Sequence, residues 1–280
     1  MFSTAEAERP DTGYGPLRAV MRRRPARAFR KPGFLESFRA ISLEELNAKA
    51  AMFERLDNKY VVREAVLGRA MPELGRHFDI LDMNGKRVFT YETCYFDDEK
   101  HSNYFDHHRR RRQRFKVRTR IYTDAGLCFV EVKLKDKRGI TVKKRMRYAP
   151  EKHGVLDGTA LAHVHAAYRE LYGREFTGEL GPSISMRYQR MTLVARCGGE
   201  RMTIDRGLVF SGASGSHAID DDVFIIETKS ANANGIADKI LRSLHQHPTR
   251  HCSKYCVGMA LLQEVHKHNT FLPAIRKLGA

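Results

Sequence analysis

No apolar run in the 280 residues is long enough to cross a bilayer; the most apolar stretch is Val257–Leu262, against the roughly 20 residues that a spanning helix needs. No long apolar segment follows the basic residues near the amino terminus, so no secretory signal is expected. Cysteine is scarce. The five residues Cys94, Cys128, Cys197, Cys252 and Cys256 are odd in number and scattered, which argues against a disulfide framework and for a reducing, cytoplasmic setting. The group His245, His247, His251, Cys252 and Cys256 lacks the paired spacing of a zinc site. Gly212 and Gly215 are not followed by Gly-Lys-Ser/Thr, so there is no phosphate-binding P-loop. There is no internal repeat. Acidic residues are in deficit, 33 against 50 basic ones, for a formal net charge of +17. Such an excess points to an anionic partner: nucleic acid, an anionic membrane surface or a small polyanion. Only the placement of the charges can choose among these.

The chain is 42% hydrophobic and 30% charged, as expected of a soluble globular protein with a real core. Residues 1–35 mix Pro10, Pro16, Pro25 and Pro32 with Arg22, Arg23, Arg24, Arg27, Arg30 and Lys31 and show no apolar period. They read as a disordered basic tail able to touch an anionic membrane or polymer. Residues 36–280 read as one domain. Ser42 and Glu45 form a capping-box pattern before a short helix through Met52. Arg55–Val62 reads as a strand and Glu64–Leu74 as a helix. Period-two segments follow at Arg87–Asp97, Arg114–Tyr122, Leu127–Lys135 and Ile140–Tyr148, and short connectors make them antiparallel neighbours. Gly158–Tyr172 reads as a helix. Further strands are expected at Ile184–Ala195, Arg201–Asp205, Leu208–Phe210 and Val223–Ser230, and helices at Ile236–Leu244 and Lys254–Glu264. The fold class is α+β, mainly antiparallel, with helices packed outside the sheet.

Side chains alternate faces along a strand, and here alternation sorts charge from grease. Arg114, Lys116, Arg118 and Arg120 share one face, opposite Phe115, Val117 and Ile121. Glu131, Lys133 and Lys135 share a face; so do Lys143, Arg145 and Arg147, then Glu227 and Lys229, and Arg201 with Asp205. A solvated sheet surface is the ordinary meaning of such alternation. It would mix signs and include more Ser, Thr, Asn and Gln than these faces do. Like charges on adjacent strands repel by a few tenths to about 1 kcal/mol per pair, so the pattern fits a face that an anion holds together. With the charged faces inward, Arg and Lys suit phosphate oxygens, and embedded carboxylates suit a hard divalent cation. Removing Arg118 and Arg120 is then expected to relieve repulsion in the unliganded state. Arg109–Arg112, beside His107 and His108, read as a solvated loop, with guidance of anions to the site as the alternative.

The ordered motifs Glu54-Arg55-Leu56-Asp57-Asn58-Lys59-Tyr60, Tyr95-Phe96-Asp97, Lys116-Val117-Arg118-Thr119-Arg120, Glu131-Val132-Lys133 and Val142-Lys143-Lys144-Arg145 resemble the triphosphate tunnel metalloenzymes. They are closest to the polyphosphate-polymerase (vacuolar transporter chaperone, VTC) branch. Tyr188-Gln189-Arg190, Arg201-Met202-Thr203-Ile204-Asp205, Glu227-Thr228-Lys229 and Ser253-Lys254-Tyr255 continue the series. The resemblance runs from about Phe53 to about Leu262. It implies a closed antiparallel barrel of about eight strands around a phosphate tunnel. It implies phosphate contacts from Lys59, Arg118, Arg120, Lys133, Lys143, Arg190, Arg201, Lys229 and Lys254, with Arg145 beside them. It implies a manganese or magnesium ion on Glu227, with Glu131 as a second ligand. Leu56 and Asp57 depart from the Glu-x-Glu-x-Lys opening of the triphosphatase branch, which favours the polymerase branch. The membrane-spanning and phosphate-sensing domains of eukaryotic polymerases have no counterpart in these residues.

The expected function is transfer of the terminal phosphoryl group of ATP, or another nucleoside triphosphate, to a growing polyphosphate. The competing readings are a triphosphate hydrolase on the same fold and a polyphosphate- or nucleic-acid-binding module without turnover. Specific nucleic-acid binding is disfavoured, because aromatics are not interleaved with the basic faces. The oligomeric state is not legible in the sequence.

Overall fold

A computed structural model describes residues 33–49 and 56–279. The expected basic tail therefore lies almost wholly outside the described residues, as do Glu54 and Arg55 of the first motif. Gly33–Ser37 forms a 3₁₀ turn that buries Leu35, and β1 (Arg39–Ile41) follows. Helix α1 (Leu43–Lys49) starts at the expected capping box: the Ser42 amide donates to Glu45 Oε2 at 3.0 Å, and the Glu45 amide to Ser42 Oγ at 3.2 Å. The chain then runs β2 (Leu56–Arg63), α2 (Glu64–His77), β3 (Phe78–Leu81), β4 (Phe89–Asp97), α3 (Ser102–His108), β5 (Arg114–Tyr122), β6 (Leu127–Lys135), β7 (Thr141–Tyr148) and α4 (Gly158–Tyr172). It ends with β8 (Gly181–Ala195), β9 (Arg201–Gly212), β10 (Gly215–Ala218), β11 (Val223–Ser230), α5 (Ile236–Ser243), α6 (Lys254–Leu261) and α7 (Leu272–Lys277).

One sheet carries the fold. Its main path runs β2-β11-β9-β8-β4-β5-β6-β7, with every neighbour antiparallel; β10 is appended to β9 and β3 to β8, and β1 pairs in parallel with β3. The α+β class and a large antiparallel sheet are as expected. The closed barrel is not what the hydrogen bonds form, because the path has two ends, β2 and β7. The physical reason lies at those ends. The outer edge of β2 is already taken: the Thr249 amide donates to the Lys59 carbonyl at 2.6 Å, and the Val61 amide to Thr249 Oγ1 at 3.3 Å. The β7 strand is half exposed and carries Lys143, Lys144, Arg145 and Arg147, a charge density that disfavours edge pairing.

The sheet nevertheless curls. Lys133 on β6 lies in the electrostatic field of Lys59 on β2 and Glu227 on β11, from the other end of the strand order. Bulges add curvature. One sits where β8 slips against β4 at Tyr95/Phe96, and another where β9 slips against β8. At the second, Gly207 adopts φ +57°, a left-handed conformation that glycine takes at no steric cost. The bulge fuses into one strand, β9, what the pattern suggests are two.

Apolar side chains pack in three clusters. On the convex side, α2 and α5 cover the β2-β11-β9-β8 half through Leu67, Met71, Leu74 and Leu241 against Tyr60, Ile204, Phe224 and Ile226. Helix α4 covers the β4-β5-β6-β7 half through Val164 and Tyr168 against Val117, Val130 and Val132. Asp157 Oδ1 caps α4 by accepting from the Ala160 amide at 2.9 Å. The third cluster is on the concave side. There α6 presses Tyr255, Cys256, Val257 and Met259 onto Tyr91, Tyr95, Ile184, Met186, Tyr188 and Ile225. Gly258 permits the approach, since a Cβ there would lie 2.6 Å from Phe210 and 2.7 Å from Ile184. Helix α6 thus fills the apolar part of the concavity and leaves the charged part open. Among the described residues no helix is long and apolar enough to cross a membrane.

Candidate functional site

Strand register decides which side chains share the concave face. Lys59 pairs with Glu227, Glu227 with Thr203, and Lys229 with both Asp57 and Arg201. Asp205 pairs with Arg190, Arg118 with Glu131, Glu131 with Arg145, and Lys133 with Lys116 and Lys143. Side chains directly opposite across a ladder point the same way. All the residues singled out on the strands therefore lie on one curled face, and Lys254 joins them from the first turn of α6.

Three ion clusters form there. In the first, Glu227 lies 3.7 Å from Lys59 Nζ and accepts a short hydrogen bond from Lys229, whose ammonium also donates to Asp57 Oδ2 at 2.8 Å. In the second, Asp205 is fully buried. It takes a two-pronged grip from Arg190, at 2.6 and 2.7 Å, and a third bond from Lys254 Nζ at 2.6 Å. In the third, Glu131 is 1% exposed; it is bound by Arg118 Nε at 2.7 Å and Nη2 at 2.6 Å, by Lys143 through a short contact, and is 3.9 Å from Arg120. Arg120 Nε also donates to Thr93 Oγ1 at 3.2 Å, and Lys116 Nζ donates to Ser253 Oγ, the α6 cap, at 2.7 Å. Arg201 sits beside Lys229 on the same face. Arg145, on the exposed edge strand, stacks its guanidinium 4.9 Å from the Phe129 ring centre.

The electrostatics follow from this layout. Burial would push the Glu227 carboxyl up, but Lys59, Lys229 and Arg190 outweigh it and hold it well below the usual range. Glu131 is likewise lowered against the effect of burial by Arg118, Arg120 and Lys143. Burial opposes the charge on Lys59, yet Glu227 and Asp57 raise its pKa. Lys133 is different: no carboxylate contacts it, and burial, then the nearby Lys59, push it down to about 8. Its side chain is exposed to water although protein surrounds it on most sides.

Lys133 gives a test with a fixed sign. Its folded pKa lies below the value near 10.4 of an unfolded lysine. Between those values the unfolded chain holds a proton that the folded one gives up, so unliganded stability should rise from about pH 8 towards about pH 10.4. An added polyanion favours the charged lysine. Triphosphate binding near pH 9 should therefore take up a proton, and affinity should fall above pH 8. Calorimetry in two buffers of different ionisation enthalpy measures the uptake. Lys133→Met should remove that part of it; an unchanged uptake would show that Lys133 does not face the anion.

Asp205, Asp57, Lys116 and Tyr95 stand in the charged faces and motifs of the sequence, but the sequence assigns them no role in the site. Asp205 shares a face with Arg201 in the alternation, and that was its available signal. Contrary to the sequence pattern, aromatic rings do stand among the cations. Tyr91, Tyr95 and Tyr188 come from β4 and β8, which carry no basic run, yet their register places them beside the Arg side chains. Arg190 lies 5.1 Å from the Tyr91 ring centre and 5.3 Å from that of Tyr188, and the Tyr95 hydroxyl meets Arg118 Nη1 at 3.0 Å. These rings are buried against one another and against α6, so they support the cations and present no free stacking platform.

The carboxylates differ in fitness for metal. Glu131 is sealed under three cations and acts as their counter-charge. Glu227 and Asp57 converge on the Lys229 ammonium and remain partly accessible. Among the described residues no three His, Cys, Asp or Glu side chains converge. One or two hard carboxylate oxygens suit magnesium or manganese, which draw their other ligands from phosphate and water. They do not suit zinc, which takes a fuller set of protein ligands.

The concave face of this curled antiparallel sheet thus gathers more cations than carboxylates. The chain belongs to the VTC domain family, whose profile matches residues 54–263, nearly the span over which the motifs resemble it. Similar solved structures include a candidate adenylyl cyclase from Hippeastrum with a dominant triphosphatase activity. It is 13% identical, with 73% of this chain and 96% of that one covered at a TM-score of 0.44. A candidate adenylate cyclase from Bacillus halodurans is 12% identical, covering 71% and 95% at 0.41. A Pyrococcus horikoshii protein is 13% identical, covering 68% and 90% at 0.38. At these values the likeness is remote. No curated protein matches the sequence.

Proposed function

We propose that the concave face binds a nucleoside triphosphate together with the end of a polyphosphate chain and transfers the terminal phosphoryl group to it. The curl closes functionally into a tunnel around the anion. The observation that carries this reading is the excess of cations within one concavity. Lys59, Arg118, Lys133, Arg190, Lys229 and Lys254 surround too few carboxylates to neutralise them. A terminal oxygen of the chain attacks the γ-phosphorus, the bond from that phosphorus to the β–γ bridging oxygen breaks, and the nucleoside diphosphate leaves. No protein nucleophile is needed. Positioned Arg and Lys side chains stabilise the charge that spreads over the transferred oxygens. Arg118 and Arg190 are held for this by Glu131 and Asp205, which fix their forks before ligand arrives. Glu227 and Asp57 would hold magnesium or manganese, which would supply positive charge against the phosphates.

Purified protein with ATP and manganese should yield long polyphosphate and nucleoside diphosphate in step. Free phosphate without polymer would replace this proposal with a hydrolase. Glu227→Gln should abolish metal-dependent turnover at every manganese concentration while leaving the circular dichroism spectrum unchanged. Full activity in that variant would remove Glu227 from the metal site.

Binding should also stabilise the fold. The anion binds the folded state alone, so at a hundred times its dissociation constant it adds about 2.7 kcal/mol. Triphosphate should raise the melting temperature more than the same phosphate supplied as orthophosphate, because linked phosphates engage several clusters at once. Equal shifts would mean a diffuse basic surface.

A further inference from the structure

The loop that covers the β2 edge through Thr249 also lines a cleft of about 460 Å³. Arg110, Thr249, Arg250, His251, Asn269 and Lys277 line it, and its lining includes no carboxylate. Among the described residues Arg110, Arg250 and Lys277 form no ion pair. Instead Arg110 Nη2 lies 3.0 Å from His251 Nε2, and Lys277 Nζ lies 3.3 Å from Thr249 Oγ1. Arg110 and His251 are each at φ +58°, a left-handed conformation that residues other than glycine seldom take. Burial, then Arg110 and Arg250, lower the pKa of His251. Positive groups are thus gathered here with no carboxylate in the lining, whereas within the concavity carboxylates offset part of the charge.

The two places are joined. The Thr249 amide binds the Lys59 carbonyl, and Cys252 lies in the fields of both Lys59 and Lys277. Arg114, at the start of β5 on the concave face, reaches His251 electrostatically.

We propose that this cleft is a second anion site, which holds a stretch of a condensed-phosphate chain outside the concavity. It rests on the phosphate-binding reading of the concave face and extends it: a long chain engages both sites, and a triphosphate fills only the first. The lining chooses this occupant. It has no Phe, Tyr or Trp ring on which a base could stack, and its one ring, His251, is engaged by Arg110; it is concave, whereas a lipid surface needs a flat basic face with apolar flanks. Linking two sites through one ligand makes the second binding event intramolecular and strengthens binding without new contacts at the first.

The test is chain-length selectivity in the full chain. Arg250→Ala/Lys277→Ala removes two exposed cations, and Arg250→Gln/Lys277→Gln keeps their stems; melting curves establish that both variants fold. Affinities are measured for triphosphate, a long linear polyphosphate, and a single-stranded oligonucleotide with the same number of phosphates. Wild-type protein should bind the long chain more tightly than triphosphate. Both variants should lose about tenfold on the long chain and less than about twofold on triphosphate. Unchanged long-chain affinity, or equal losses on both ligands, overturns the second site. An oligonucleotide that binds as tightly as polyphosphate and loses as much overturns the choice of ligand. The wild-type comparison of triphosphate with orthophosphate reports on the concave site separately, so failure there is distinct from failure at the cleft.

Discussion

Replacing Arg118 and Arg120 together with alanine will weaken triphosphate binding by about 3–6 kcal/mol, since each charged hydrogen-bonding side chain contributes about 1.5–3 kcal/mol. It will also destabilise the unliganded protein, reversing the relief of repulsion that the sequence pattern suggests. Glu131 explains the reversal. It is almost completely buried, and Arg118 and Arg120 supply most of its counter-charge. Stranding a buried charge costs about 3–5 kcal/mol. Lys143 remains as a partner, which places this case at the lower end. Adding Glu131→Gln to the double variant should recover much of the stability and none of the binding. Urea denaturation and calorimetry on the three proteins separate the two roles. A double variant that binds triphosphate like the wild type would take both arginines out of the site.

Asp205→Ala should give the largest single loss of stability, about 3–5 kcal/mol by the same reasoning. Asp205 has no exposed surface, and it anchors both Arg190 and Lys254. Burial opposes its ionisation, but Arg190 and Lys254 outweigh it and keep its pKa low. The variant leaves two cations facing each other across the concavity. A phosphate chain can replace the lost carboxylate, so triphosphate should raise the melting temperature of Asp205→Ala by more than it raises that of the wild type. An equal or smaller rise would mean that Arg190 and Lys254 do not meet the anion.

Alternation along single strands made the site's chemistry legible. Arg114–Tyr122, Leu127–Lys135, Gly158–Tyr172 and Val223–Ser230 form over the expected residues, because strict periods and turn residues bound them. The cations on β5, β6 and β11 could be assigned to a face without knowing what lies opposite. What stayed hidden depends on neighbours that are distant in sequence. Asp205 becomes a hub only when β8 and α6 bring Arg190 and Lys254 to it. Tyr95 becomes part of the site only through register with Arg118. Short elements also escaped: β3, with its four buried residues, and α3, with seven residues, are too brief to show a period. The capping box marked where α1 begins, whereas the open seam depends on Thr249 occupying an edge nearly two hundred positions away from Lys59.

That seam has a mechanical consequence. In a closed barrel, strand number and stagger together fix the radius. A sheet whose end strands share no hydrogen bonds is free of this constraint. No hydrogen bond between β7 and β2 sets its bore. Lys133 on β6 lies in the fields of Lys59 on β2 and Glu227 on β11, so side-chain charge, not backbone pairing, couples the two ends of the sheet.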